Sequence, residues 1–382
     1  MLHRGINFDD TIKTDEITSI KNITFQVTNN CCLQCTYCYQ ISKNNLSMNF
    51  ETAKTFIDNL FNNAEDKNSH INIYNTVGLV LDFVGGEPLM ELDLIIQIID
   101  YFEEQFKIRY DYPWVINHKY SFSSNGLLYF DERFQQLLKK YGTDTISYAV
   151  TIDGCQECHD KCRIDLNNQG SYERSIRAAL DYKQKYGGKG TKITISPDNM
   201  QYIFESVKNL ILLGYTHINA NCIFEHEWTE EEAQFIQSEV IKVKKWIEKH
   251  NLQDYTYFSM LDFKGIEEDN EDLTRKHCGA SKCMLNIDPK GDLYPCTRFA
   301  PNSTCQNKDL FKIGTVETGV VKNEKTLQLE EFENTITYPD ECLDCTLKTK
   351  CHQCIGCNYE IFGTIFKFNK NICKVYKALE VI

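Results

Sequence analysis

Apolar and polar positions alternate in two kinds of segment from residue 20 to residue 222. Short runs rich in β-branched and aromatic residues predict strands, and the longer amphipathic stretches between them predict helices. Strands and helices in turn indicate parallel crossover units and an α/β fold. The predicted strands are 23–27, 79–84, 119–124, 146–152, 191–196 and 216–222, and the predicted helices are 50–62, 92–106, 131–140, 171–185, 201–213 and 229–249.

Composition narrows the class of protein. The chain of 382 residues is long enough for two domains or for one barrel with an appendage, and 42% hydrophobic with 25% charged residues is typical of a globular protein. No apolar run reaches the length of a membrane span, and the N-terminus lacks a secretion signal. We therefore predict a cytoplasmic protein without a membrane partner. The net charge of −13 disfavours nucleic acid as a partner.

Eighteen cysteines in a reducing compartment predict metal sites rather than disulfides. The tightest group follows the first predicted strand and contains Cys31, Cys35 and Cys38. Four thiolates saturate a four-iron cube, so three would leave one iron open to a small molecule. A partial zinc site is the alternative. Cys32 fits the spacing less well than Cys31, and we interpret it as a bystander.

This C-x3-C-x2-C loop, with Tyr37 before its last cysteine, resembles that of the radical S-adenosylmethionine (SAM) superfamily. The resemblance implies a partial (β/α)6 TIM-like barrel, open at one side to large substrates. It also implies a catalytic [4Fe-4S] cluster on the three cysteines of the loop, with SAM bound at the open iron.

Two motifs at the ends of predicted strands fit the same family. The second strand runs into Gly85-Gly86-Glu87, which resembles the family's contact to the amino group of SAM. The third strand ends at Ser124 and Asn125, for which the resemblance implies contacts to the ribose. Each motif taken singly is also compatible with an ordinary turn.

The fourth strand runs into Thr151-Ile-Asp-Gly154, followed by His159-Asp160 and Arg163. This is similar to a signature of the subgroup with SPASM domains, which are C-terminal cysteine-rich cluster domains. We group Asp153 and Arg163 with the cofactor-binding residues. Arg163 suits a carboxylate of SAM or of the substrate, and a surface salt bridge is the alternative.

Three more cysteines share this segment, with the spacing C-x2-C-x3-C. They could form another cluster site, but we favour free thiols near the barrel mouth. They are Cys155, Cys158 and Cys162. Cys222 and Cys305 fit no site and are interpreted as structural.

The C-terminal third is similar to a SPASM domain, because a predicted hairpin ends in Gly-x4-Cys and C-x2-C-x5-C follows. The resemblance implies two auxiliary [4Fe-4S] clusters and three clusters in all. One set would be Cys278, Cys283, Cys296 and either Cys354 or Cys357; the other would be Cys342, Cys345, Cys351 and Cys373. We favour Cys354, because residues 358–360 look like a strand. A zinc ribbon is the alternative.

The predicted domains are a radical SAM partial barrel (1–228), a bridging helix and connector (229–276) and the SPASM domain (277–382). Enzymes of this kind act on peptides. Segments around 195–207 and 219–225 resemble the maturases of CXXX-repeat peptides, which implies a cysteine-containing precursor and thioether formation. Formylglycine formation in sulfatases, and carbon–carbon crosslinking or epimerisation, are alternatives; a zinc-ribbon peptide-binding protein is the alternative from another class.

Two protein partners are expected besides the peptide. The chemistry needs an electron donor such as flavodoxin or ferredoxin. Residues 1–22 before the first predicted strand are too few for the winged domain that many such maturases use to bind the precursor's leader. Leader binding would then fall to the barrel face, the SPASM domain or a separate recognition protein.

Overall fold

The computed structural model describes residues 19–261, 279–303, 309–334, 339–347, 351 and 353–382. Two predicted features lie outside this part: the thiols of Cys278 and Cys305, and residues 262–276 of the predicted connector. No helix in the described part is both long and apolar enough to cross a membrane.

Two sheets form the centre of the fold. In both of them, the strands of the predicted crossover units pair in parallel. The first four strands pair in chain order, and the next three form a separate sheet. This confirms the predicted α/β class, with all six predicted strands present. The strands are β1 Ser19–Thr28, β2 Thr76–Gly85, β3 His118–Ser124, β4 Ile146–Val150, β5 Gly190–Ile195, β6 His217–Cys222 and β7 Tyr257–Phe258.

Amphipathic helices connect the strands and cover their apolar faces. Helix α8 has a complete capping box, in which the Thr229 side chain accepts from the Glu232 backbone N–H and the Glu232 side chain accepts in return. The helices are α1 Phe50–Asn62, α2 Leu92–Ile108, α3 Pro113–Ile116, α4 Glu132–Thr145, α5 Gln156–Cys162, α6 Tyr172–Tyr186, α7 Ile203–Leu212, α8 Glu230–Lys249, α9 Glu324–Asn334, α10 Ile355–Phe362 and α11 Cys373–Glu380.

The two faces of each strand differ in polarity. Alternate residues of β5 and β6, such as Ile193 and Ile218, are buried in the apolar core under the helices. The residues between them, including Lys192, Asn219 and Asn221, are exposed. Because successive side chains point to opposite faces of a sheet, the inner wall here is polar and open.

The C-terminal third continues the first sheet. Strand β8 (Met284–Ile287) pairs in parallel with β1 and forms a hairpin with β9 (Asp292–Tyr294). Two short antiparallel strands, β10 (Gly314–Thr315) and β11 (Gly319–Val320), extend it to eight strands. The predicted domain boundaries stay predictions.

One local prediction was wrong, and one short helix was missed. Residues 358–360, predicted as a strand, belong to α10, whose first turn contains Cys357. The buried Asn358 side chain accepts a hydrogen bond from the Asn369 backbone at 2.8 Å, which fixes this helix against the loop before α11. Helix α5 was not predicted, because its seven residues are too few for a clear amphipathic period.

Candidate functional site

The loop that carries the first three cysteines leaves the C-terminal end of β1 and is held on both sides. The Asn29 N–H donates to the Leu46 carbonyl at 2.9 Å, which closes the loop on itself. The Gln34 N–H donates to the Ile164 carbonyl at 2.8 Å, and the Thr36 N–H to the Cys162 carbonyl at 2.9 Å. The C-terminal end of α5 therefore positions the loop across the ends of the strands.

The thiols of Cys31, Cys35 and Cys38 line one cavity of about 390 Å³. Burial raises the pKa of the Cys35 thiol to about 11, against the opposing charges of Arg163 and Lys43. The neighbouring Cys32 does not line the cavity, and its Sγ accepts a hydrogen bond from Asn125 Nδ2 at 3.2 Å. Cys32 therefore lies outside the cavity, although its thiol also hydrogen-bonds with that of Cys31.

The glycine pair after β2 allows two loops to approach closely. A Cβ on Gly86 would lie 2.3 Å from the Asn30 carbonyl oxygen and 2.7 Å from Cys31 Cβ, and a Cβ on Gly85 would lie 2.6 Å from the Thr28 carbonyl oxygen. The Gly86 N–H donates to the Thr28 carbonyl at 3.0 Å. Only glycine permits this contact, which places the motif directly against the cysteine loop.

Glu87 lines the cavity, but its carboxylate is already used by protein donors. It accepts hydrogen bonds from Ser124 Oγ and from the Asn125 N–H, both at 2.8 Å. Burial raises the pKa of this carboxyl group, and the two hydrogen bonds oppose that shift. Glu87 therefore joins the end of β2 to the end of β3, and its contact to the amino group of SAM stays a prediction.

Asp153 and Arg163 meet through Tyr37, the aromatic residue of the cysteine loop. The Tyr37 hydroxyl donates to an Asp153 carboxylate oxygen and accepts from Arg163 Nη1 at 2.9 Å. The other Asp153 oxygen accepts from the Thr194 N–H at 3.0 Å, which links β5 to the loop after β4. Arg163 lines the cavity, whereas the fully buried Asp153 lies behind it.

Two cysteines of the C-terminal third reach the same cavity, where Cys354 and Cys357 form part of the wall. Cys354 lies directly before α10, and its thiol hydrogen-bonds with that of Cys357. This bond, assisted by Arg298, lowers the pKa of Cys354 to about 6, while it raises the pKa of Cys357. The structure does not choose between the two as a cluster ligand.

Arg298 was missed by the sequence analysis and joins three parts of this wall. Its Nη2 donates to Cys357 Sγ at 2.6 Å, and its Nη1 pairs with Glu225 at 2.5 Å. The guanidinium lies 4.9 Å from the centre of the Tyr39 ring. The only sequence feature that could have indicated a role for Arg298 is its position two residues after the predicted ligand Cys296. The cavity cations Lys43 and Lys192 were also missed.

A second set of thiols lies apart from the cavity. Burial raises the pKa of Cys351 to about 11, and the charges that contribute next come from Cys373, Cys342 and Cys345. Burial raises the pKa of Cys373 as well, and the charges of Cys342 and Cys345 raise it further. These four cysteines, predicted to hold one cluster, are therefore electrostatic neighbours.

The remaining predicted ligands flank the hairpin. Cys283 directly precedes β8, and its carbonyl accepts from the Asn22 N–H at 2.7 Å. Cys296 follows β9 by two residues and is buried near Tyr39. The other predicted ligand of this cluster, Cys278, lies outside the described residues.

Of the other three cysteines near the predicted barrel mouth, Cys158 and Cys162 lie on α5 and Cys155 directly precedes it. Their hydroxyl neighbours are Ser206 for Cys155 and Ser196 for Cys162, each at 3.6 Å. Cys158 is buried beside them, and none of the three lines the cavity. Cys222 does line it, although it was predicted to be structural.

The donor set fits iron–sulfur clusters. Thiolates are soft ligands that select iron–sulfur clusters or zinc. Within the described ranges, no three His, Cys, Asp or Glu side chains converge on a point that suits a single metal ion. A cube instead takes each thiolate on a different iron, so its ligands need not converge.

Comparisons with known proteins agree with this site. Residues 22–177 match a family model described as a 4Fe-4S single cluster domain. An uncharacterized protein of Methanocaldococcus jannaschii is 27% identical over 73% of this chain and 86% of its own. The radical SAM cyclopropyl synthase TigE of Paramaledivibacter caminithermalis is 23% identical, covering 96% and 74%. A cysteine-type anaerobic sulfatase-maturating enzyme of Clostridium novyi is 23% identical, covering 94% and 96%. Of these relatives, one is named as a radical SAM enzyme and another as a maturating enzyme.

Solved structures share the fold. The chain matches anSMEcpe with bound AdoMet and Kp18Cys peptide at a TM-score of 0.68 and 15% identity, over 94% of this chain and 96% of that one. It matches Streptococcus suis SuiB bound to precursor peptide SuiA at a TM-score of 0.61 and 13% identity, over 93% and 76%. At these identities the matches establish the α/β architecture.

Proposed function

We propose that this protein is a radical SAM enzyme that modifies a ribosomally made peptide and forms cysteine thioether crosslinks. One observation supports this above the others: three thiols of the first loop, the motifs after β2 and β3, and two C-terminal thiols line a single open cavity. A cavity of about 390 Å³ has room for a cofactor with part of a substrate.

In this proposal Cys31, Cys35 and Cys38 hold the catalytic cluster. When bound, the clusters and SAM supply a 5′-deoxyadenosyl radical and a sink for one surplus electron. The chain itself positions these groups. Gly86 keeps the cysteine loop against β2, and Ser124 with Asn125 presents polar groups to the ribose side of SAM.

In this proposal, the ligands of the two auxiliary clusters are those predicted from the sequence. One cluster uses Cys278, Cys283, Cys296 and either Cys354 or Cys357. The other uses Cys342, Cys345, Cys351 and Cys373, whose electrostatic proximity supports the grouping. Eight such thiolates leave no open iron, so electron acceptance is the role that we assign to both clusters.

A peptide substrate is supported by the relatives that were solved with bound peptides. The polar, exposed inner wall of β5 and β6 offers hydrogen-bonding groups to such a chain. Thioether formation removes two hydrogens from the peptide. One leaves carbon as a hydrogen atom and yields 5′-deoxyadenosine; the other leaves sulfur as a proton, and the surplus electron passes to the acceptor.

The curated relatives favour a second group of reactions. One is a cysteine-type sulfatase-maturating enzyme and another a cyclopropyl synthase. Formylglycine formation would remove the cysteine sulfur from the substrate. Carbon–carbon bond formation or epimerisation would leave the cysteine thiol free.

Mass spectrometry of a cysteine-containing precursor separates these reactions. The anaerobically reconstituted protein is incubated with SAM, dithionite and the precursor peptide, and the product is treated with iodoacetamide. A thioether gives a peptide lighter by two hydrogens per link that retains its sulfur and resists alkylation at one cysteine. Full alkylation of every cysteine after turnover would overturn the thioether proposal, as would loss of sulfur. A Cys155→Ala variant serves as the control, because its thiol contacts Ser206 and lies outside the cavity.

A further inference from the structure

The cavity concentrates positive charge in an acidic protein. Its wall contains the cations Lys43, Arg163, Lys192 and Arg298, although the whole chain carries a net charge of −13. Thiolates bound to clusters carry negative charge, so some of these cations serve as their counter-charges. The question is whether each cation has such a partner.

Three of the four cations have thiols nearby. Lys43 donates to the Leu33 carbonyl at 2.8 Å, and its charge acts on Cys31 and Cys35. Arg298 contacts Cys357 directly. Arg163 also acts on Cys35. These three are accounted for by the cluster ligands.

Lys192 is different. It lies on the inner face of β5, one residue from Ile193, whose side chain points into the core. Among the described residues, none forms a hydrogen bond or an ion pair with its ammonium group. Its charged neighbours are Asp153 and Arg163, and no thiol is among them.

Asp153 does not neutralise Lys192 by direct contact. It is fully buried behind the wall, and its two oxygens accept from the Tyr37 hydroxyl and from the Thr194 N–H. Arg163, only 8% exposed, has a further unused donor, because its Nε has no hydrogen-bond partner. Lys192 thus has no direct partner and lies beside a second cation at the cavity wall, an arrangement that favours an anion next to Lys192.

We propose that Lys192 binds a carboxylate of the peptide substrate, an Asp or Glu side chain close to the modified position. This inference rests on the proposed function. The carboxylate of SAM is the other source of such an anion. The placement favours the peptide, since Lys192 belongs to the second sheet, with Thr194 and Asn221 beside it. The residues expected to bind SAM follow β2, β3 and β4, and Arg163 among them already offers a cation to the SAM carboxylate. Lys192 is then a specificity-determining residue.

The test uses two peptide libraries and the reconstituted holoprotein with SAM. Both libraries are amidated, cysteine-containing peptides without other acidic residues; one carries a single Glu and the other a single Gln, at each position in turn. The peptides that stay bound to the protein are measured by mass spectrometry. The proteins compared are the wild type and the variants Lys192→Met, Lys192→Arg and Lys189→Met. Lys189 is the matched control, because it is exposed on the same segment but outside the cavity. SAM affinity is measured on every protein.

The wild-type protein and Lys189→Met should retain Glu peptides about tenfold better than Gln peptides, the effect of one charge-assisted contact. Lys192→Met should lose this preference with unchanged SAM affinity, and Lys192→Arg should keep it. A preference that survives in Lys192→Met contradicts the inference. A loss of SAM affinity in that variant assigns the carboxylate to SAM and also contradicts it. If the wild-type protein retains both libraries equally, the inference about Lys192 is wrong and the proposed function is unaffected. If it retains neither library, the proposed peptide-modifying function is wrong as well.

Discussion

Gly86 lies so close to Cys31 that a Cβ at Gly86 would come within 2.7 Å of Cys31 Cβ and 2.3 Å of the Asn30 carbonyl oxygen. Contacts of that length force backbone movement, because the neighbouring carbonyl belongs to the loop itself. The loop geometry therefore depends on a residue without a side chain, one strand away from the thiols.

The first prediction concerns this contact. Gly86→Ala should displace the cysteine loop and lower the iron content of the reconstituted protein by up to one cluster's worth, as measured by an iron assay and electron paramagnetic resonance. Gly190→Ala is the control, because the nearest atoms to its added Cβ lie at 3.8 Å. If both variants bind iron like the wild-type protein, the contact does not define the cluster loop.

The Cys354–Arg298 relationship predicts a pH dependence in the apo-protein. The bond from Cys357, with the charge of Arg298, lowers the pKa of Cys354 and the same bond raises that of Cys357, so iodoacetamide should alkylate Cys354 at a lower pH than Cys357. Arg298→Met should move the alkylation midpoint of Cys354 upward by roughly one pH unit. Peptide mapping of alkylation between about pH 5 and pH 9 measures both midpoints. Arg133→Met, at an exposed arginine, should leave them unchanged.

The same pair of thiols predicts which of the two is the fourth ligand of its cluster. Metal binding requires a deprotonated thiol, so the thiol with the lower pKa binds at the smaller cost. Cys354→Ala should therefore lower iron content more than Cys357→Ala. The reverse order would move the fourth ligand to Cys357.

The second thiol set predicts a loss confined to one cluster. Alanine at Cys342 or at Cys373 should remove about one cluster's worth of iron, roughly four atoms, while SAM cleavage persists. Cys155→Ala is the matched control, since its thiol contacts Ser206 and lies outside both sets. Unchanged iron in both variants would require another ligand set.

Much of the fold follows from local pattern. The strands β1 to β6 were predictable because β-branched runs alternate with amphipathic helices, and α1 has the predicted bounds. The pairing of β8 with β1 was not, because a contact between residues about 260 positions apart leaves no local signal. Residues 358–360 were predicted as a strand because an aromatic residue such as Tyr359 is common in strands. They belong instead to a helix that ends at Gly363, which caps it in the left-handed conformation.

The site shows the same division. The cysteine spacing and the motifs after β2 and β3 are local, so the residues around Cys31, Glu87 and Asn125 could be predicted, and the cavity brings them together. Arg298 and Lys192 could not be predicted, because a lone basic residue in a sequence carries no spacing rule. Only the closure of β5, β6 and the C-terminal third around the cavity shows what they face.

Reductive cleavage of SAM tests the central claim most directly. The reconstituted protein with dithionite and SAM should release 5′-deoxyadenosine and methionine, measured by liquid chromatography and mass spectrometry. The Cys31/Cys35/Cys38 triple alanine variant should release none above background, and Cys155→Ala should behave like the wild-type protein, because its thiol contacts Ser206 and lies outside the cavity. Formation of 5′-deoxyadenosine by the triple variant would contradict the account.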